Sequence, residues 1–234
     1  METQILDDIR FVAETESLKR RLRIRESGSN LTRFLALIKE GQKIAQPKAM
    51  YRPAYIEDRS EEAVKVEGRW FRSRVLTVNL SQTHRIFIYV ATCGVELDEW
   101  AKGQKDILSA LWAEAVKETA LRTAVKAVES HIEENYHPGK TSQQNPGSLE
   151  DFPLAEQRAL FDLLGNTRLA VGVTLLSSLM MSPSHSVSGI IFPTTEDFES
   201  CMLCPREKCP GRRSPYDPTL YEQKYSRPVK ATGL

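Results

Sequence analysis

Apolar residues recur every three or four positions in two long stretches of the chain. Leu31, Phe34, Leu35, Leu37, Ile38 and Ile44 follow a 3.6-residue period with Asn30 placed to cap the start, which predicts a helix over residues 31–45, stopped by Pro47. Between residues 104 and 136, Ile107, Leu108, Leu111, Trp112, Ala115, Val116, Ala120, Ala124, Val125, Val128 and Ile132 form one stripe with Glu, Lys and Arg opposite. That is the pattern of a helix laid across a sheet. Residues 62–92 alternate or run apolar instead: Val64 and Val66, then 71–80, then 86–91. They predict strands, paired antiparallel because parallel neighbours need a crossover of about a dozen residues.

Polar residues dominate 137–150, where Pro138-Gly139 and Pro146-Gly147 punctuate a predicted loop. A helix is predicted from Asp151, with Pro153 tolerated in its first turn and Gly165 suited to its C-terminal end. Residues 169–174 and 186–192 resume strand character, and a turn at 182–184 is expected to join the second of these to residues 179–181 as a hairpin. After Phe198 few apolar residues remain, and 214–234 reads as an extended surface tail. The resulting division is an N-terminal arm or helix at 1–30, an α+β core at 31–198, and a cysteine cluster with its tail at 199–234.

Composition narrows the function. With 234 residues, 41% of them hydrophobic, the chain can build a substantial core. Its 32 basic and 31 acidic residues leave a formal charge of +1, so nucleic-acid binding by bulk charge is not expected. No leader pattern and no apolar run of about 20 residues is present, which points to a cytoplasmic protein without a membrane span. Three of the four cysteines, Cys201, Cys204 and Cys209, form Cys-x2-Cys-x4-Cys. In a reducing compartment such clustering points first to metal or redox chemistry. Cys93, at the end of an apolar strand, is the preferred fourth ligand, with His185 and His137 as alternatives. Four thiolates suit structural zinc or an iron–sulfur cluster equally.

Ordered motifs in the second half carry a family resemblance. Asn145-Pro146-Gly147-Ser148, Asp151-Phe152-Pro153-Leu154, Glu156-Gln157, Leu160-Phe161, Gly172-Val173-Thr174-Leu175, Met180-Met181, Pro183 and Ser186-Val187-Ser188-Gly189 resemble the reactivation domain of cobalamin-dependent methionine synthase. The resemblance spans about residues 31–192 and is strongest after Asn145. It implies an α+β fold with a bent antiparallel sheet and flanking helices, and a site for S-adenosylmethionine formed by Gln143, Asn145, Pro146, Gly147, Ser148, Ser186, Val187, Ser188 and Gly189. It also implies a surface that docks over cobalamin held by a partner, with no side chain acting as acid or base.

Three places depart from the family pattern, one being the N-terminal stretch that supplies an acidic contact in the full-length enzyme and has no counterpart that aligns here. Gln143 stands where the family carries an arginine, and Ser148 where it carries a tyrosine; Arg206, Arg212 and Arg213 are candidates to replace the arginine. The resemblance to free-standing versions of the domain implies a separate corrinoid-binding protein or shortened methionine synthase as partner, served by an electron-transfer protein. Reductive chemistry would favour iron–sulfur at the cysteines. A corrinoid-protein binding or chaperone module with a structural metal is the alternative.

Overall fold

The computed structural model describes residues 2–25, 27–209 and 211–226. Strand β1 (Gln4–Leu6) is followed by helices α1 (Thr15–Leu22) and α2 (Ser29–Ile44) and by strand β2 (Lys48–Arg59). A hairpin of β3 (Ala63–Val66) and β4 (Arg69–Arg72) turns at Glu67-Gly68, both at positive φ, the backbone that matches the natural strand twist. Helix α3 (Arg74–Asn79), strand β5 (Arg85–Thr92), helices α4 (Val95–Lys102) and α5 (Ile107–Tyr136) and strand β6 (Thr141–Gln144) come next. Helices α6 (Gln157–Leu164) and α7 (Thr167–Val171), the small hairpin of β7 (Thr174–Leu175) and β8 (Met181–Ser182), and strand β9 (Ser186–Pro193) complete the regular elements before the C-terminal loops.

Among the described residues one seven-stranded sheet has the order β4-β3-β2-β5-β9-β6, with β1 added on β2. The β1–β2, β2–β3, β3–β4 and β6–β9 pairings are antiparallel. This is the α+β class with an antiparallel sheet that the sequence predicts. No helix among the described residues is long and apolar enough to cross a membrane.

Two compact units divide the chain within β2, β5 and β9. The first takes the residues through Pro53 together with Ile88–His137 and Leu160–Ser188; the second takes Ala54–Phe87, Pro138–Ala159 and the chain from Gly189 onward. In the first unit Phe34 and Trp112 pack edge-on at 5.4 Å in a core that also takes Leu37, Ile38, Leu97 and Val116. Phe11 and Leu18, from the segment expected as an arm or helix, join it. In the second unit Val64, Val66, Phe71, Leu76, Phe152 and Phe192 are buried.

Several local expectations need correcting. Residues 74–79 form α3 rather than a strand. Ser73 Oγ accepts from the Leu76 N–H at 2.9 Å, and the Asp151 carboxylate accepts from the Arg74 and Val75 N–H groups at 3.1 and 3.0 Å. Capping from a distant residue thus overrides the strand preference of Val75, Thr77 and Val78. Residues 167–171 form α7, capped by Asn166. Met181 and Ser182 pair with Thr174 and Leu175, not with β9. The predicted 137–150 loop contains β6, whose inward side chains are polar.

The C-terminal tail is anchored. Tyr225, 1% exposed, donates to Asn79 Oδ1 at 2.9 Å, and its carbonyl accepts from Arg74 Nε at 3.1 Å. The rest of the expected tail, 227–234, lies outside the described residues.

Candidate functional site

The Pro-Gly segment forms a rigid turn at the end of β6. The Ser148 N–H donates to the Asn145 carbonyl at 3.0 Å, the Ser148 hydroxyl to the same oxygen at 2.6 Å, and the Gly147 N–H to the Phe152 carbonyl at 2.7 Å. Gly147 sits at φ +80°, so backbone conformation selects glycine, while the nearest atom to a Cβ there, Leu154 Cδ1 at 3.0 Å, ends a flexible side chain. Gly147 and Ser148 are exposed, Pro146 is buried, and Gln143 and Asn145 are half-buried.

The strand that leads into this turn pairs with the C-terminal part of β9. Gln143 pairs with Ile191 and Gln144 with Ile190 in the antiparallel β6–β9 ladder. The ladder ends there, one residue before Asn145 on β6 and one residue after Gly189 on β9. Ser188, Val187 and Ser186 then continue β9. Ser186 has a structural task, its hydroxyl donating to the Pro183 carbonyl at 2.8 Å and pairing with Thr92 Oγ1 at 2.9 Å. Ser188 is buried and Val187 half-buried.

The other face of β6 is structural. Gln144, fully buried, donates to Ser73 Oγ at 3.2 Å, and Ser142 donates to the Phe198 carbonyl at 2.5 Å. Asp151 of the Asp-Phe-Pro-Leu motif caps α3, so this motif residue holds the fold. Glu150, Asp151 and Pro153 also line a cavity of about 440 Å³ with Arg72, Arg74 and Tyr221.

The four cysteines expected as ligands fall in different parts of the chain, Cys93 in the first unit and Cys201, Cys204 and Cys209 in the second. Among the described residues no three His, Cys, Asp or Glu side chains are grouped so as to hold a metal ion. Cys93 is fully buried at the end of β5, and burial pushes its thiol up to about 12 against the opposing charge of Lys117.

Cys201, Cys204 and Cys209 ride on a loop ordered by Arg212 instead. Arg212 Nη1 donates to the carbonyls of Cys201 and Ser214 at 3.0 and 3.1 Å, and Nη2 to that of Cys204 at 3.1 Å and to that of Arg206. Arg213 pairs with Glu199 at 2.7 Å. Two of the three arginines considered for a ligand carboxylate therefore serve the loop.

A buried charge network in the first unit went unpredicted. Lys117 and Asp98, with side chains 3% and 4% exposed, meet at 2.7 Å; Lys102 also reaches Asp98 at 2.6 Å, and Glu114 reaches Lys117 at 2.9 Å. Lys117 Nζ lies 3.3 Å from Ser184 Oγ, and His185 Nδ1 lies 3.4 Å from Glu114.

Burial works against both members of the central pair. It favours neutral Asp98, yet hydrogen bonds and charge from Lys102 and Lys117 outweigh it and hold the carboxyl below its usual range. Burial likewise opposes the Lys117 charge, but Asp98 and Glu114 raise its pKa. His185 is held below the usual imidazole value by burial and then by Lys117. The signal available in the sequence was a lysine inside the apolar stripe of α5, flanked by Val116 and Ala120.

No protein-family model and no curated protein matches the chain. Among solved structures it is similar to the MetH reactivation domain bound to AdoHcy, with 15% identity, a TM-score of 0.61, and coverage of 86% of this chain and 81% of that one. The chain therefore has the methionine synthase reactivation-domain fold.

Proposed function

We propose that this chain is an accessory protein of a cobalamin-dependent methyltransferase of the methionine synthase type, holding S-adenosylmethionine and presenting its methyl group to cobalamin on a partner protein. The observation that carries this reading is the fold shared, over 86% of the chain, with a domain whose structure contains AdoHcy.

The turn at Asn145, Pro146, Gly147 and Ser148 and the strand from Ser186 through Val187 and Ser188 to Gly189 would hold the ligand, together with Gln143. They suit it in kind. Glycine and serine let the backbone approach a bulky ligand closely, the Gln143 amide both donates and accepts hydrogen bonds, and the Ser148 hydroxyl, its proton given to the Asn145 carbonyl, can accept one. Gln143 offers a carboxylate no charge, so binding is weaker than with an arginine there.

S-adenosylmethionine supplies an electrophilic methyl group when bound, and the task left to the chain is orientation. Fixing two reactants in attack geometry contributes up to about 7–11 kcal/mol in the most favourable cases. The acceptor would belong to a corrinoid-binding protein or shortened methionine synthase, and the electron to a separate electron-transfer protein.

The second reading, a corrinoid-protein binding module without a methyl donor, draws support from Gln143 and Ser148. Methyl-labelled S-adenosylmethionine separates the two. Incubated with this protein, a reductant and a cobalamin-loaded methionine synthase lacking its own reactivation domain, label should appear on cobalamin only when this protein is present. Association with the corrinoid protein without label transfer would favour the second reading.

A further inference from the structure

We propose that Cys201 and Cys204 form a reversible dithiol–disulfide pair that exchanges with disulfides of low-molecular-weight thiols. The two residues are three apart in a turn formed by the 3-10 segment Ser200–Leu203, and the Cys204 N–H donates to the Cys201 carbonyl at 3.3 Å. A bond of this type brings the two Cα atoms within about 7 Å, with Cys201 inside the segment and Cys204 in extended backbone at its C-terminal end. A disulfide needs Cα atoms about 4.4–6.8 Å apart. The turn therefore brings the two cysteines into the separation range from which a bridge can close.

Other contacts hold the turn in that form. The single guanidinium of Arg212 takes the carbonyls of both cysteines, at 3.0 and 3.1 Å. The Met202 carbonyl between them accepts from the Asp217 N–H at 2.9 Å, and the Arg213 N–H lies 3.5 Å from Cys201 Sγ. Both cysteines are partly exposed, so an external disulfide can reach them. Cys209 lies five positions beyond Cys204, outside this turn.

Exchange proceeds in two displacements. The sulfur of one cysteine attacks a sulfur of the external disulfide, expelling one small thiolate and leaving a mixed disulfide on the chain. The sulfur of the other cysteine then attacks the chain's sulfur in that bond, and the second small thiolate leaves. Cys201 and Cys204 together lose two electrons and two protons, the external disulfide gains two electrons, and the protons end on the two released thiols.

The test equilibrates the full-length reduced protein with graded ratios of reduced and oxidised glutathione, traps free thiols by alkylation, and maps the products by mass spectrometry. Two of the four cysteines should become inaccessible in one two-electron transition, linked as Cys201–Cys204, reversibly and unchanged in Cys209→Ser. Cys201→Ser and Cys204→Ser should lose the transition and accumulate a glutathione adduct on the remaining partner. Three findings would each overturn the proposal: a bridge involving Cys209 in the native protein, glutathione adducts without any internal bridge, or stoichiometric zinc that must be stripped before the thiols react.

Discussion

Replacing Asp98 by asparagine keeps the shape of the side chain and removes the carboxylate that faces Lys117. Lys117 is 3% exposed at its side chain and would keep Glu114 at 2.9 Å, a partner half exposed to solvent and correspondingly weaker. Removing one member of a buried pair typically costs about 3–5 kcal/mol, because the other charge stays buried without compensation. The remaining contact to Glu114 places Asp98→Asn at the lower end, about 3 kcal/mol.

Urea unfolding followed by Trp fluorescence reads this directly, since Trp112 is buried in the same unit. With a slope of about 3 kcal/mol per molar, the midpoint should fall by about 1 M. The double variant Asp98→Leu with Lys117→Met should lose less than the single one, because two apolar groups replace a pair that must otherwise be desolvated. A loss below about 1 kcal/mol in Asp98→Asn, or a double variant that loses the sum of the single variants, would refute the reasoning.

Acid titration probes the same network. Asp98 is held below its usual value, so its contribution is complete above about pH 4, the unfolded carboxyl value, and is lost as pH falls through the lower folded value; Asp98→Asn should flatten the acid limb of the stability curve. Gly147→Ala should cost about 1–2 kcal/mol from the left-handed backbone and weaken S-adenosyl ligand binding, both absent if the turn tolerates a side chain. Tyr225→Ala, which empties a fully buried site, should cost about 3–5 kcal/mol, while Tyr225→Phe should lose only the Asn79 hydrogen bond, about 1 kcal/mol; equal losses in thermal unfolding would contradict the anchoring role.

Helices α2 and α5 were legible because their apolar stripes are long enough to fix period and face, and β9 because Ile190, Ile191 and Phe192 leave no other reading. Helix α3 was not, because its first N–H groups are capped by Asp151, 77 residues away, and nothing local announces that partner. Strand β6 escaped because Ser142 and Gln144 face inward and satisfy buried hydrogen bonds in place of apolar packing. At the site, the Pro-Gly turn and the Ser-Val-Ser-Gly strand could be named from their motifs, but the pairing of β6 with the end of β9 could not. The cysteine spacing was visible too, while the turn that sets Cys201 against Cys204 and the arginine that holds it emerge only in three dimensions.

The central claim is that this chain holds an S-adenosyl ligand at the Gly147 turn, and calorimetric titration with S-adenosylhomocysteine tests it most directly. The account predicts one-to-one saturation, lost or at least tenfold weaker in Gly147→Ala protein that remains folded. No heat of binding at millimolar ligand, or equal affinity in the wild-type protein and the variant, would contradict it.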